Sequence, residues 1–217
     1  MNHLKRIVLL TVCTTILSHL NAQFAVGVKG GLNYSQVTAD RFTEQDLTIN
    51  GLKYTPGYFA GVALQYKMGS FGIESGVYYS VLGGKGSVNK GISKLEVSMN
   101  PTYVQVPLLF SVKMGVSKKS YIYPLLGMYF GYGMGGEITQ TRIMGEQVIK
   151  KTTTDYFTDA RQKMDIGTSL SLNFEWNKVV IGAGYDYGLK RVNTKKAAEG
   201  EKNKHNSNFK LSIGYLF

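Results

Sequence analysis

Few residues in this sequence could carry covalent chemistry. Of its three histidines, His3 and His19 sit in the first twenty residues, and His205 stands between Lys204 and Asn206 with Glu199 and Glu201 nearby. A hydrolase or acyltransferase needs a nucleophile beside a base that a carboxylate orients. No serine lies in a nucleophile-elbow setting, so His205 reads as a solvated loop residue and no catalytic residue is expected. With so little histidine, only oxygen ligands remain for a metal. Asp40, Glu44 and Asp46 come nearest to a cluster but lack calcium-loop spacing. The glycine-rich run Gly131-Tyr132-Gly133-Met134-Gly135-Gly136 lacks the Lys-Ser/Thr of a phosphate loop. Neither a metal nor a cofactor is expected.

The polar residues that stand out instead are charges spaced by even numbers inside greasy segments. In Phe24 to Tyr34, Phe24, Val26, Val28, Leu32 and Tyr34 share one parity, while Gly27, Lys29, Gly31 and Asn33 hold the other. Side chains alternate sides along a strand, so one face is apolar and the other small or polar. The pattern recurs at about 58 to 68, 71 to 82, 102 to 113, 121 to 133, 163 to 176, 178 to 188 and 208 to 217. Parity places Val62, Leu64, Val106, Leu108, Leu170, Leu172, Ile181 and Leu211 outward, with Lys29, Lys67, Glu74, Gln105, Lys113, Asp165, Asn173, Glu175, Asp186 and Lys210 inward.

Eight strands of roughly ten residues are long enough to cross a bilayer when tilted. Their connections alternate in length: those near 35 to 57, 83 to 101, 134 to 162 and 189 to 207 are long, while Gly69-Ser70, Met114 to Ser120 and Asn177-Lys178 are short. Membrane barrels have long outer loops and short periplasmic turns, whereas a soluble sandwich has no reason to alternate. The expected fold is therefore all-β, an eight-stranded antiparallel up-and-down transmembrane β-barrel. Pro107 and Pro124 fall inside expected strands, where bulges or strand ends are anticipated. Tyr34, Tyr58, Tyr121, Tyr132, Trp176 and Phe217 suit aromatic girdles.

The interior of an eight-stranded barrel is about filled by side chains. Lys29, Lys67, Lys113 and Lys210 must therefore meet Glu74, Asp165, Glu175 and Asp186, or trapped water, because a bare buried charge costs several kcal/mol. This reads as a charge network that plugs the lumen and argues against a general diffusion porin; a narrow path for ions or small solutes is the alternative.

The chain opens as a secretory signal does. Lys5 and Arg6 precede an apolar run from Ile7 to Leu17 and a more polar end before Gln23. Residues 1–22 are expected to be cleaved, leaving 23–217 as the barrel. Cys13 lies in the apolar run, so the mature chain is left without thiol or disulfide. The formal charge of the whole chain is +11. Much of it gathers in the last long loop, where Lys190, Arg191, Lys195, Lys196, Lys202 and Lys204 face only Glu199 and Glu201. Clustered cations attract anionic partners such as lipopolysaccharide, glycan or an acidic protein; nucleic acid is not an expected partner for a barrel of this kind.

Four segments in order resemble the PorT-like family of outer-membrane β-barrels: Gly27-Val28-Lys29-Gly30-Gly31-Leu32-Asn33-Tyr34-Ser35, Tyr103-Val104-Gln105-Val106-Pro107-Leu108-Leu109, Lys163-Met164-Asp165-Ile166-Gly167, and Gly184-Tyr185-Asp186-Tyr187-Gly188-Leu189. Gln105 stands where the family usually has Glu. The alternating Phe209, Leu211, Ile213, Tyr215 and terminal Phe217 resemble the signal read by the outer-membrane assembly machinery. The resemblance implies an eight-stranded barrel in the outer membrane of a Gram-negative cell. It also implies an accessory, non-enzymatic role in a cell-envelope or secretion-associated assembly, with envelope or secretion-system proteins as partners. Fold alone does not fix function.

Overall fold

The computed structural model describes residues 24–37, 42–44, 47–49, 52–157, 163–189 and 205–217. In chain order the strands are β1 (Phe24–Gln36), β2 (Phe42–Glu44), β3 (Leu47–Ile49), β4 (Thr55–Met68), β5 (Phe71–Val81), β6 (Gly84–Lys90), β7 (Ser93–Met99) and β8 (Thr102–Val112). They continue as β9 (Met114–Ser117), β10 (Ser120–Gly135), β11 (Glu137–Met144), β12 (Gln147–Asp155), β13 (Met164–Trp176), β14 (Val179–Gly188) and β15 (Ser207–Leu216). Among the described residues no helix is long and apolar enough to cross a membrane.

Eight of these strands close on themselves. Antiparallel ladders run β1–β4–β5–β8–β10–β13–β14–β15, and β15 returns to β1. Closure leaves no unpaired edge among the spanning strands, which is what lets strands cross a bilayer core that offers no water to backbone groups. The expected eight strands are these eight, most of them within a few residues at each end. Their outer faces are greasy and exposed, as at Val62, Leu64, Leu108, Leu170, Leu172, Ile181 and Leu211, while alternate residues such as Glu74, Asn173 and Glu175 are buried within.

At one end the strands join through tight turns at Gly69-Ser70, Lys118-Lys119 and Asn177-Lys178. Asn177 and Lys178 both have positive φ, at 47° and 75°, as a two-residue hairpin turn requires. The second of these is tighter than expected, because β9 pairs with the start of β10 and shortens the turn.

The prolines correct one expectation: neither lies at a register shift or at the end of its strand. Pro107 pairs with Tyr129 on the β10 side, while the β5–β8 ladder skips from Ser75↔Leu108 to Tyr78↔Gln105. The missing donor is thus absorbed by an interruption on one side, and the Ser75 hydroxyl donates to the Pro107 carbonyl at 2.7 Å. Pro124 pairs with Leu172 and falls opposite the break between β8 and β9. The register shifts lie elsewhere, at Gly133/Gly135, Ser120/Tyr121 and Arg142/Ile143.

Among the described residues, two of the long connections are not open loops. Those after β5 and β10 fold into hairpins that join in a four-stranded sheet, β12–β11–β7–β6, and β2 pairs with β3 beside it. One face of this sheet packs Leu95, Val97, Met99 and Ile138 against Leu47, Ile49, Leu52, Leu82, Tyr103 and Tyr156. The barrel therefore carries a second apolar core at its outer end, separate from its lipid-facing surface. Phe157 seals it edge-on to Tyr103 and Tyr156. Its ring lies over Gly133, where a Cβ would fall 2.1 Å from the ring's Cζ.

Candidate functional site

Inward parity on adjacent strands brings most of the charged residues into pairs. Lys29 on β1 places its Nζ 2.8 Å from Glu74 Oε1 on β5. The other Glu74 oxygen accepts from Gln65 Nε2 at 2.9 Å, and that amide also reaches the Tyr123 hydroxyl at 3.2 Å. Nearer the short turns, Lys113 meets Glu175 Oε2 at 2.5 Å and lies 4.8 Å and 5.0 Å above the rings of Tyr121 and Tyr123. Nearer the outer end, Lys210 on β15 meets Asp186 Oδ2 on β14 at 2.7 Å. Ion pairs in such an interior offset their desolvation only when geometry and further hydrogen bonds are good, and each pair here has supporting donors or rings except Lys210–Asp186.

Among the described residues, two of the eight charged side chains have no opposite charge as a direct partner. Lys67 lies close to Lys113 and Glu175 near the short-turn end. Asp165, at the outer end and only 5% exposed, receives neutral donors, the Tyr129 hydroxyl and Asn206 Nδ2, both at 3.3 Å to Oδ2. Opposite ends of the lumen therefore hold Lys67 and Asp165, and the structure does not bring these two together. Between them a cavity of about 40 Å³ is lined by Lys29, Glu74, Gln105, Tyr129, Asp186 and Lys210, room for roughly one to three water molecules.

Sequence reasoning overlooked several lumen residues. Tyr78, Tyr123 and Tyr129 are buried there, although their strand parity matches that of inward neighbours. Asn33 ties the outer end together: its Nδ2 donates to Ser80 Oγ at 2.9 Å and to the Tyr58 and Val81 carbonyls, and it accepts from Asn208 Nδ2 at 3.0 Å. Parity in the sequence already puts Asn33 on the polar face, though without a role, and the same parity points the three tyrosines inward. Tyr121 is a correction of the opposite kind: it was assigned to a girdle, yet it turns under Lys113, while Tyr34, Tyr58, Tyr132, Trp176 and Phe217 are exposed.

Lys190, Arg191, Lys195, Lys196, Lys202 and Lys204 lie outside the described residues, as do Asp40 and Asp46. The ring of His205 stands 5.3 Å from that of Tyr187, and its Nδ1 is buried without a partner. Among the described residues no three His, Cys, Asp or Glu side chains gather as metal ligands.

A closed ring of eight strands with an apolar belt outside and paired charges inside defines an integral β-barrel of the outer-membrane class. The chain belongs to the outer membrane protein beta-barrel domain family, which it matches over residues 19–193. No curated protein sequence gives a significant match. Among solved structures it is similar to Ail, the attachment invasion locus protein of Yersinia pestis, at 14% identity and a TM-score of 0.44, covering 90% of this chain and 99% of that one. It is also similar to OprG from Pseudomonas aeruginosa, at 15% identity and a TM-score of 0.42 over 90% and 96% of the two chains. The translocator domain of the autotransporter NalP from Neisseria meningitidis matches at 11% identity, with a TM-score of 0.38 and 96% of each chain covered. This is an outer-membrane β-barrel protein.

Proposed function

We propose that this barrel is a non-enzymatic anchor that presents its outer cap to other components of the cell envelope, as an accessory or structural part of an envelope or secretion-associated assembly of the PorT-like kind. One observation carries the reading. The outer connections are folded into a sheet with its own apolar core, Leu95, Val97 and Met99 among its buried residues, over a lumen crossed by three ion pairs. A wide pore would need neither, whereas a contact surface needs a rigid shape. Residues 1–22 act as the cleaved export signal, and 23–217 are delivered through the outer-membrane assembly machinery. Lipid covers the belt, lipopolysaccharide meets the outer rim, and the basic segment with Lys190, Arg191, Lys195, Lys196, Lys202 and Lys204 attracts acidic partners.

The test is crosslinked affinity capture of the tagged barrel from outer membrane, with those six cations neutralised in a parallel variant. Capture of defined envelope or secretion components by the intact form alone supports the reading; recovery of bulk lipopolysaccharide and abundant porins from both forms removes it. The lumen cavity favours a second reading, a narrow channel. It predicts discrete conductance steps in planar bilayers that change in size when Lys29 or Asp186 is replaced.

A further inference from the structure

The short-turn end of the barrel gathers cations. Asn177 N donates to the Lys119 carbonyl at 3.0 Å, which joins the β9–β10 turn to the β13–β14 turn. Lys118, Lys119 and Lys178 thus stand together, all exposed. Behind them Lys67 and Lys113 are half-buried. Lys113 engages Glu175, whose side chain is 9% exposed, and Lys67 lies close to the same pair. Among the described residues Glu175 is the one acidic side chain at this end, since Glu74 is engaged by Lys29 deeper in the lumen. The residues ahead of Phe24 contain no Asp or Glu. Every other stretch outside the described residues belongs by sequence to a long connection of the opposite end. Five lysines therefore face one carboxylate, or two where Phe217 carries a free one.

Direction decides what these lysines meet. A lysine on the outside of a barrel rim reaches the phosphates of the surrounding leaflet. Lys67 and Lys113 do not, because with Gln65, Ser111 and Tyr123 they line a cavity of about 20 Å³ inside the wall. It has room for about one water molecule, so a ligand approaches these amines from the periplasm and stays at the mouth. The wall offers such a ligand a seat. The β5–β8 ladder ends at Phe71↔Val112, whereas β9 runs on, paired among the described residues with β10 alone. Met114 to Ser117 are exposed throughout, and the outer edge of such a strand presents backbone groups with which an added extended chain pairs. We propose that the short-turn end docks an acidic, extended segment of a periplasmic protein, its carboxylates set among Lys67, Lys113, Lys118, Lys119 and Lys178. Several cations around one mouth call for several carboxylates on one chain, and they steer its approach. This surface lies at the opposite end from the cap and stands independently of what the cap contacts.

The test places the full barrel in a nanodisc of phosphatidylcholine, which leaves both ends open, with fluorescein-labelled hexaglutamate as the probe. Saturable binding that weakens about tenfold in Lys118→Gln/Lys119→Gln/Lys178→Gln, and stays unchanged when the six cations of the 190–204 segment are neutralised, supports the proposal. The three lysines are exposed in turns, so the variant should keep the gel mobility of the folded barrel. Lys67→Gln, which leaves the Lys113–Glu175 pair in place, should weaken binding as well. Absence of saturable binding overturns the proposal, as does binding lost with the 190–204 cations instead. Two further results overturn it by naming another occupant. Loss of peptide binding when phosphatidylglycerol is added to the disc makes it the leaflet, and co-sedimentation with purified sacculi that the triple variant loses makes it the cell wall.

Discussion

At the level of single residues, the lumen pairs make opposite demands on single and double replacements. Replacing Glu74 by Gln leaves Lys29 buried without its counter-charge, and the reverse holds for Lys29→Met. Each single change should lower stability by about 3–5 kcal/mol, and the double change Lys29→Met/Glu74→Gln by much less than the sum. Urea unfolding in detergent, followed by the loss of the heat-modifiable gel band, measures this; additive losses would show that the pair is not coupled. A lipid-facing residue obeys a different rule. Leu170 lies near the middle of β13 and is exposed on its outer face, so Leu170→Arg should cost about 2–4 kcal/mol in a bilayer.

At the level of elements, the strands divide into those whose surroundings impose a pattern and those whose surroundings do not. The eight spanning strands could be read from the sequence because lipid on one side and a packed lumen on the other force a period of two. Strand β12, Gln147 to Asp155, is exposed at every position, so no alternation marked it. Strand β7 does alternate, with Leu95, Val97 and Met99 buried, but at seven residues it is too short to cross a bilayer, so the hairpins of the cap read as plain connections. The two prolines misled for a related reason: a one-sided gap in a ladder leaves no trace in local spacing. Turns carry their own prediction. Lys178 has a φ of 75°, a conformation costly for any residue but glycine, so Lys178→Gly should raise barrel stability by up to about 1 kcal/mol in the same urea assay. At the other end, Gly133→Val would push Phe157 off its seat. Limited proteolysis should then cut the cap hairpins while the barrel band stays resistant.

At the level of the whole molecule, two cores serve two environments. A charged, hydrogen-bonded lumen holds the ring of strands from within, and an apolar cluster holds the cap where water lies outside. The lumen charges could be read from parity, while their sorting into three pairs and two remainders, Lys67 and Asp165, depended on which strands the closed ring makes neighbours. The central claim is that this ring spans the outer membrane with the cap outside and the short turns in the periplasm. Single-cysteine variants test it most directly, at Val148 in the cap and at Lys178 in the turn, each labelled on intact cells with a membrane-impermeant maleimide. Labelling of Val148→Cys on intact cells, and of Lys178→Cys only after the outer membrane is opened, is the expected result. Labelling of Lys178→Cys on intact cells would contradict the account.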